Sequence, residues 1–356
     1  MIKIFALVKY ICKSAYLRVK YRSVFPLIPD SLIDSFNTWD LDLGWSPRPN
    51  TKKRESLNGV KQNNYISIDS DGSRLRPRGC DSLTVSASGQ RDVAIFGDSF
   101  AMCREVDDHQ TIAWNLEYTY GIACSNFGVG GYGLDQALLR LEKILGQRSF
   151  SDVMVIVCPA TIARSISIYR HWLEPGNILA VKPRFIVDGD QLVLYHNPVS
   201  DKSQLKNLEN LSFSIQSNDG CYEMFSKGLL TPSAKTIYEH YIEAWSSHDK
   251  LFRLMLRRYL YLAKKFNFKP YFLLLPDSTT ARLSAKGRKF QFQKSLISAS
   301  LEFKGIEIRD LTDDLPSLVN LQVAYTNGKF GHFSPEANEA IAGWIYRNFF
   351  DGGNVQ

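Results

Sequence analysis

From residue 92 to the C-terminal region, short apolar runs alternate with longer segments whose apolar residues recur at helical spacing. The short runs end at glycine or turn-forming residues, which predicts strands over residues 92–96, 122–127, 153–158, 271–275 and 306–308. The helical spacing predicts helices over residues 101–118, 134–145, 249–266 and 290–303 and a last helix from Pro335. Strands separated by helices pair in parallel, so we predict an α/β fold: a doubly wound three-layer α/β/α sandwich with a mainly parallel, flavodoxin-like sheet.

Two regions lie outside this alternation. Residues 23–90 are rich in Pro, Ser, Asn and Asp, which predicts an extended N-terminal segment with a few short strands that wraps the main domain. Residues 161–248 break the alternation as an insertion, and the turn Asp188-Gly189-Asp190 predicts a hairpin within it. The main domain therefore spans residues 91–350 and contains the insertion.

The N-terminal residues 1–22 predict a basic amphipathic helix, because apolar residues recur on one face and lysines fall on another. Residues 1–29 carry six Lys and Arg and no acid, which accounts for most of the net charge of +7. Two interpretations remain open: the helix lies on an anionic membrane surface, or it packs on its own domain with its lysines in solvent. Charges interrupt the apolar stretch, so a cleaved signal peptide is not predicted. We predict a cytoplasmic location, with peripheral membrane contact if the first interpretation holds.

Composition narrows the class of protein. With 44% hydrophobic and 22% charged residues, the chain is neither disordered, collagen-like nor a coiled coil. Beyond its N-terminus the chain is nearly neutral, so no nucleic-acid partner is predicted. Its apolar runs fall short of the ~20 residues that cross a bilayer, and no transmembrane helix is predicted. The six cysteines lack the spacing of a metal or redox motif and are predicted to be free thiols in a reducing compartment.

The candidate chemistry follows the strands, because ligands of open α/β sheets sit at the carboxyl ends of the strands. Ser99, in Gly97-Asp98-Ser99-Phe100, is placed at a predicted strand-to-helix junction, where a serine can be a nucleophile or simply a helix N-cap. His332 lies in the loop before the last helix and is the candidate base, although a lone histidine there can equally be a surface or capping residue. The loop Gly128–Gly133 and Thr161 follow the next two strands.

Three blocks of the chain resemble a known family. Residues 93–100 look like the Gly-Asp-Ser block of the SGNH (GDSL-type) hydrolases, residues 126–136 are similar to their second block, and His332 resembles the family histidine. Three shorter stretches are similar to a bacterial subgroup of the family that is linked to cell-surface polysaccharides: Gly44–Pro47, Asp71–Arg74 and Lys182–Phe185.

The resemblance implies a role for each matching residue. Ser99 would attack an ester carbonyl to form an acyl-enzyme, and His332 would take its proton and later activate water. The backbone N–H groups of Ser99 and Gly131 would hold the oxyanion, and Thr161 stands where the family has an asparagine that also donates there. Without the family, the glycines around Gly131 could equally form a plain tight turn. Neither a cofactor nor a metal is implied, and Asp98 lacks companion ligands at useful spacing.

One family feature is missing. The family has an aspartate three residues before its histidine to orient the imidazole, and here that position is Lys329. Another acid, a backbone carbonyl, or a Ser–His dyad without an acid are the alternatives that the sequence leaves open. Three acids after the last strand are candidate substitutes, although they can also be ordinary loop acids: Asp310, Asp313 and Asp314. Trp172, just past the third block, is a candidate pocket residue.

The sequence thus predicts a serine esterase that hydrolyses carboxyl esters, with O-acyl groups on a carbohydrate as the expected substrate. The first alternative is an O-acyltransferase that modifies a cell-surface polysaccharide through the same acyl-serine. The second is a catalytically weakened carbohydrate-binding protein of the same fold, which Lys329 and Thr161 motivate.

Overall fold

The computed structural model describes residues 36–57, 60–76, 91–172, 181–226, 241, 244–326 and 331–351. The helix predicted for residues 1–22, and with it the predicted membrane contact, lies outside the described residues. Lys329 also lies outside them. Within the described part of the chain, no helix has the length and apolar character that a bilayer span requires.

The elements alternate as the sequence predicts. The strands are β1 (Asn37–Asp40), β2 (Gly44–Pro47), β3 (Thr51–Leu57), β4 (Val60–Ile68), β5 (Asp92–Gly97), β6 (Ala123–Asn126), β7 (Asp152–Val157), β8 (Arg184–Asp188), β9 (Gln191–Tyr195), β10 (Lys269–Leu274) and β11 (Glu307–Asp310). The described α-helices are α1 (Ile112–Tyr120), α2 (Leu134–Leu145), α3 (Thr161–Ile166), α4 (Ser212–Asn218), α5 (Gly220–Ser226), α6 (Asp249–Phe266), α7 (Ser278–Ser284), α8 (Gln291–Glu302), α9 (Leu315–Leu318) and α10 (Pro335–Ile345).

The centre is a five-stranded sheet in the order β11-β10-β7-β5-β6, with every neighbouring pair parallel. This is the order of a flavodoxin-like doubly wound sheet, in which the order of strand addition reverses between β5 and β7. Side chains alternate between the two faces, so Val93 and Ile95 join one core cluster while Ala94 and Phe96 join the other. Helices α2, α6 and α8 cover one face, and α1 and α10 cover the other. The predicted fold class is confirmed.

The helix predicted over residues 101–118 is wrong in its first half. Helix α1 begins only at Ile112, with the Thr111 hydroxyl accepting the Trp114 backbone N–H as its N-cap. Before it the chain forms irregular turns, in which Cys103 and Glu105 adopt left-handed conformations with φ of 55° and 75°. Such φ values interrupt a right-handed helix. Ser99 therefore lies in a turn rather than at a helix N-terminus.

The N-terminal segment forms two antiparallel hairpins, β1–β2 and β3–β4. The first hairpin packs on the first turn of α2, where the Gln136 side-chain amide donates to the Leu43 carbonyl at 2.7 Å. The insertion contains the predicted hairpin as β8–β9, together with the short helices α3, α4 and α5 that the sequence pattern did not indicate.

Candidate active site

Ser99 and His332 meet at the carboxyl edge of the sheet. Ser99 Oγ lies 2.8 Å from His332 Nε2, although the two residues are far apart in the chain. The turn after β5 begins at Gly97, where a Cβ would stand 2.0 Å from the Ile156 carbonyl oxygen of the neighbouring strand. Only glycine fits this close approach, and it lets the chain leave the sheet at the point where Ser99 faces the imidazole.

The His332 loop is held by backbone contacts on both sides. Tyr325 and Phe333 form an antiparallel bridge, and the Thr326 N–H donates to the His332 carbonyl at 2.9 Å. Ser334 then caps α10 by accepting the Ala337 N–H at 3.2 Å. These contacts fix the backbone that carries the imidazole.

Glu105 supplies the orienting acid that the sequence lacks before the histidine. Its Oε1 lies 3.0 Å from His332 Nδ1, and its Oε2 accepts the His332 backbone N–H at 3.1 Å and the Thr326 hydroxyl. Sequence reasoning missed this residue because it lies in the turn that was predicted to be helical. The only available signal was an acid shortly after the candidate nucleophile.

The acids proposed as substitutes after the last strand lie elsewhere. Asp310 accepts from the Thr312 hydroxyl and N–H, Asp313 pairs with Lys289 at 2.6 Å, and Asp314 precedes α9 as its N-cap residue. Asp310 and Asp313 serve as turn and ion-pair acids, and the Asp314 side chain makes no capping hydrogen bond.

The charge state of Glu105 decides how the imidazole is protonated. Burial alone would raise the pKa of its carboxyl, but hydrogen bonds and charge attraction from His332 and a bond from Thr326 outweigh burial and lower the pKa to about 2. At neutral pH Glu105 is thus a carboxylate that can only accept hydrogen bonds. In the neutral imidazole the proton therefore lies on Nδ1, which leaves Nε2 to accept the proton of the Ser99 hydroxyl.

The lowered pKa of Glu105 predicts a specific acid sensitivity. Because the folded-state pKa of about 2 lies below the ordinary 4.5, the stability that the carboxylate contributes is present above pH 4.5 and is lost as the pH falls toward 2. We expect the free energy of unfolding of the unmodified protein to fall more steeply over this interval than that of Glu105→Gln. Urea unfolding at a series of pH values measures both, and parallel curves would contradict the assignment.

The glycine-rich loop after β6 lies against the Ser99 turn. The Phe127 N–H donates to the Ile95 carbonyl at 2.7 Å, and the Val129 N–H donates to the Gly97 carbonyl at 3.0 Å. Gly131 has φ of 81°, a conformation that favours glycine. Among the hydrogen bonds of the described residues, none is donated by the Ser99 or the Gly131 backbone N–H.

Two buried side chains from other parts of the chain hold this loop. The indole N–H of Trp45, in β2, donates to the Gly130 carbonyl at 3.1 Å. That carbonyl belongs to the same peptide group as the Gly131 N–H. Arg170, in the insertion, donates from Nε to the Gly131 carbonyl at 3.0 Å. The N-terminal segment and the insertion therefore fix the peptide groups on both sides of Gly131.

Thr161 is near the site but its hydroxyl is already used. It accepts the Cys158 N–H at 3.0 Å and donates to Asp98 Oδ2 at 3.3 Å. A hydroxyl has one proton, so in this arrangement Thr161 is not free to donate to an oxyanion. Asp98 also accepts from Arg164 at 3.0 Å and from the Phe100 N–H, which gives it a structural role. The Trp172 side chain lies outside what the structure describes.

Among the described residues, no group of three or more His, Cys, Asp and Glu side chains lies close enough together to bind a metal ion. The side chains of Trp245 and Trp344 are buried in the core. The described side chains that meet in the site are therefore a serine, a histidine and a carboxylate.

Comparison with known proteins gives distant structural similarity. No protein-family model matches the chain, and no curated protein matches it in sequence. A structure described as a G-D-S-L-family lipolytic protein from Desulfitobacterium hafniense DCB-2 is 13% identical at a TM-score of 0.35, covering 72% of this chain and 99% of that one. A G-D-S-L-family lipolytic protein from Veillonella parvula DSM 2008 is 10% identical at a TM-score of 0.36, covering 72% and 97%. An acetyl xylan esterase from Butyrivibrio proteoclasticus is 9% identical at a TM-score of 0.33, covering 81% and 67%. At these values the similarity does not by itself assign a family or an activity, so the functional conclusion depends on the side chains described above.

Proposed function

We propose that this protein is a serine esterase that hydrolyses carboxyl esters through an acyl-enzyme. The observation that carries the proposal is the chain of contacts from Ser99 Oγ to His332 Nε2 at 2.8 Å and from His332 Nδ1 to Glu105 Oε1 at 3.0 Å. A serine hydroxyl is a weak nucleophile until an adjacent base accepts its proton, and the base must in turn be oriented by a third group. Both conditions are met by these three side chains.

In the first half-reaction, Ser99 Oγ bonds to the ester carbonyl carbon while its proton moves to His332 Nε2. The carbonyl oxygen becomes an oxyanion, and the N–H groups of Ser99 and Gly131 are the donors we assign to it. Each such donor contributes about 10²–10³ in rate. The adduct collapses by breaking the bond to the alcohol oxygen, which leaves with the proton held by His332.

In the second half-reaction, His332 Nε2 takes a proton from water as the water oxygen bonds to the acyl carbon. The tetrahedral adduct breaks its bond to Ser99 Oγ, which regains a proton from His332, and the carboxylic acid is released. Glu105 stays ionised throughout and stabilises the imidazolium that forms in each half-reaction. The alternative of a catalytically weakened carbohydrate-binding protein is less well supported. One reason for it was the lack of an acid at Lys329, and Glu105 can orient His332 in its place.

For the substrate, we propose an O-acyl group on a carbohydrate. This part depends on the short segments that resemble the polysaccharide-linked subgroup, among them the stretch that contains Trp45. Transfer of the acyl group to a sugar hydroxyl shares the same acyl-Ser99, because the hydroxyl replaces water only in the second half-reaction.

The test is active-site labelling together with turnover. We expect a fluorophosphonate probe to modify the intact protein at Ser99 alone, as located by peptide mass spectrometry, and short-chain aryl esters to be hydrolysed. Acetylated sugars then test the carbohydrate, and product analysis at saturating acceptor glycan separates hydrolysis from transfer. Absence of both labelling and turnover in folded protein would refute the esterase.

A further inference from the structure

A buried arginine outside the main domain donates hydrogen bonds to the backbone of the turn that carries Glu105. Arg74 follows β4 in the N-terminal segment and is 2% exposed. Its Nη1 donates to the carbonyls of Met102 at 2.7 Å and Cys103 at 2.6 Å, and its Nη2 donates to that of Val106 at 2.6 Å. The guanidinium therefore binds the backbone both before and after Glu105.

The remaining donors of Arg74 are also used. Its Nε donates to Asp108 Oδ1 at 3.0 Å, and Nη2 reaches the Tyr65 carbonyl at 3.3 Å. Asp108 in turn accepts the Ser67 N–H from β4 at 3.0 Å. The planar guanidinium offers five donors in a fixed fork, and a lysine ammonium has only three on a flexible stem. Arginine thus matches this set of acceptors, and lysine does not.

The turn that Arg74 binds has an unfavourable backbone. Cys103 and Glu105 both have positive φ, which disfavours side chains with a Cβ and persists only where the surroundings enforce it. The carbonyls of residues 102, 103 and 106 converge on one cation, and a right-handed helix would instead aim them along its axis. The hydrogen bonds from Arg74 to these carbonyls stabilise the unfavourable conformation.

Arg74 is itself fixed to the catalytic edge. Its backbone N–H donates to the Asn126 carbonyl at 2.8 Å, and the Asn126 side-chain amide donates to the Ala101 carbonyl at 2.8 Å. Asn126 and Arg74 thus both bind backbone carbonyls of the turn. The same turn carries Glu105, whose carboxylate contacts His332 Nδ1 at 3.0 Å.

We propose that Arg74 is a positioning residue for Glu105: it holds residues 102–106 in the conformation that brings the carboxylate to His332. The inference rests on the proposed esterase. It gives a role to Asp71–Arg74, one of the three stretches that resemble the polysaccharide-linked subgroup, which contains none of the proposed catalytic groups. It makes the N-terminal segment part of the catalytic apparatus, although no atom of Arg74 contacts Ser99 or His332 among the described contacts.

A double-mutant cycle tests the proposal. Misplacing a catalytic group by about 1 Å can cost 10²-fold, so we expect Arg74→Lys to lower kcat for an aryl ester by about 10²-fold with little change in KM. In a Glu105→Gln background the same change should have almost no further effect, because no carboxylate remains to be positioned. Equal effects in both backgrounds would overturn the proposal.

The matched control is Arg184→Lys. Arg184 is 8% exposed and donates to the backbone carbonyls of Ile166 at 2.5 Å and Asn218 at 3.1 Å, so it is a buried arginine that binds the C-terminal ends of α3 and α4 instead of the Glu105 turn. Its effect on kcat should be the same in both backgrounds. If Arg74→Lys does not fold, Asp108→Asn replaces it, since it weakens the grip on Arg74 without changing side-chain size, and the same cycle applies.

A second readout needs no activity. Titration of the Glu105 carboxyl by carbon NMR should give a pKa of about 2 in the unmodified protein and a value returning toward 4.5 in Arg74→Lys. An unchanged pKa would overturn the positioning role even if the esterase is real. Conversely, an unmodified protein that neither labels at Ser99 nor turns over ester refutes the proposed function while the titration still reports on Arg74.

Discussion

Replacing Ser99 by alanine is expected to lower kcat for ester hydrolysis by about 10⁶-fold, the largest effect of any single change in this protein. The variant loses the only atom that can form the acyl-enzyme, while the backbone amide of residue 99 remains to bind a substrate carbonyl. KM should therefore change much less than kcat, and labelling by a fluorophosphonate should disappear. Steady-state kinetics and mass spectrometry of the labelled protein measure the two effects.

The control for this change is Ser295→Ala in α8. Ser295 is 4% exposed and Ser99 is 5% exposed, so the two substitutions remove a hydroxyl from equally buried positions. Ser295→Ala should leave kcat unchanged. Combining Ser99→Ala with His332→Ala should cost hardly more than Ser99→Ala alone, because the two side chains act as one unit. A Ser99→Ala variant that retains turnover would exclude the acyl-enzyme mechanism.

Outside the Ser99–His332 pair, Glu105→Gln should give the largest effect. Loss of the orienting carboxylate from a Ser–His–acid triad costs about 10⁴ in kcat, and we expect a decrease of about 10³–10⁴-fold here. The amide keeps the shape of the side chain but no longer fixes the proton on Nδ1 or balances the imidazolium charge. The decrease should be visible in kcat and in the rate of Ser99 labelling.

Glu117→Gln provides the comparison for Glu105→Gln. Glu117 lies on α1, its side chain is 9% exposed against 7% for Glu105, and it forms an ion pair with Arg76 at 3.0 Å. Its replacement removes a carboxylate of similar burial without touching His332, so stability should fall while kcat is preserved. If both variants lost activity equally, the special role of Glu105 would be excluded.

The sheet was predictable because its signal is local. Fully apolar runs such as the one that became β7, where every residue is buried, predict strands covered on both faces. The partnership of Ser99 and His332 followed from the order of those strands, since the topology brings the two loops to one edge. The residue at which α1 begins was not predictable, because the spacing of apolar residues around Ala101 also fits a helix. The left-handed residues Cys103 and Glu105 follow instead from contacts with Arg74, which is distant in sequence.

The hydrogen-bond partner of the Thr161 hydroxyl is also decided by a tertiary contact. Its place in the chain matches that of the family asparagine, but sequence position does not determine which partner a hydroxyl takes. Asp98 is close enough to claim the proton, and this contact depends on the packing of two separate strands. Candidate nucleophiles and bases were thus accessible from sequence, whereas the groups that orient them were decided by tertiary contacts.

Because Glu105 comes from the turn that also bears Ser99, the C-terminal region contributes only the imidazole to the triad. The position three places ahead of His332 then needs no acid, and a cation such as Lys329 can occupy it. A search pattern that demands an acid there will pass over chains built in this way. A pattern that also accepts a glutamate shortly after the Gly-Asp-Ser string, together with an arginine upstream, would retrieve them.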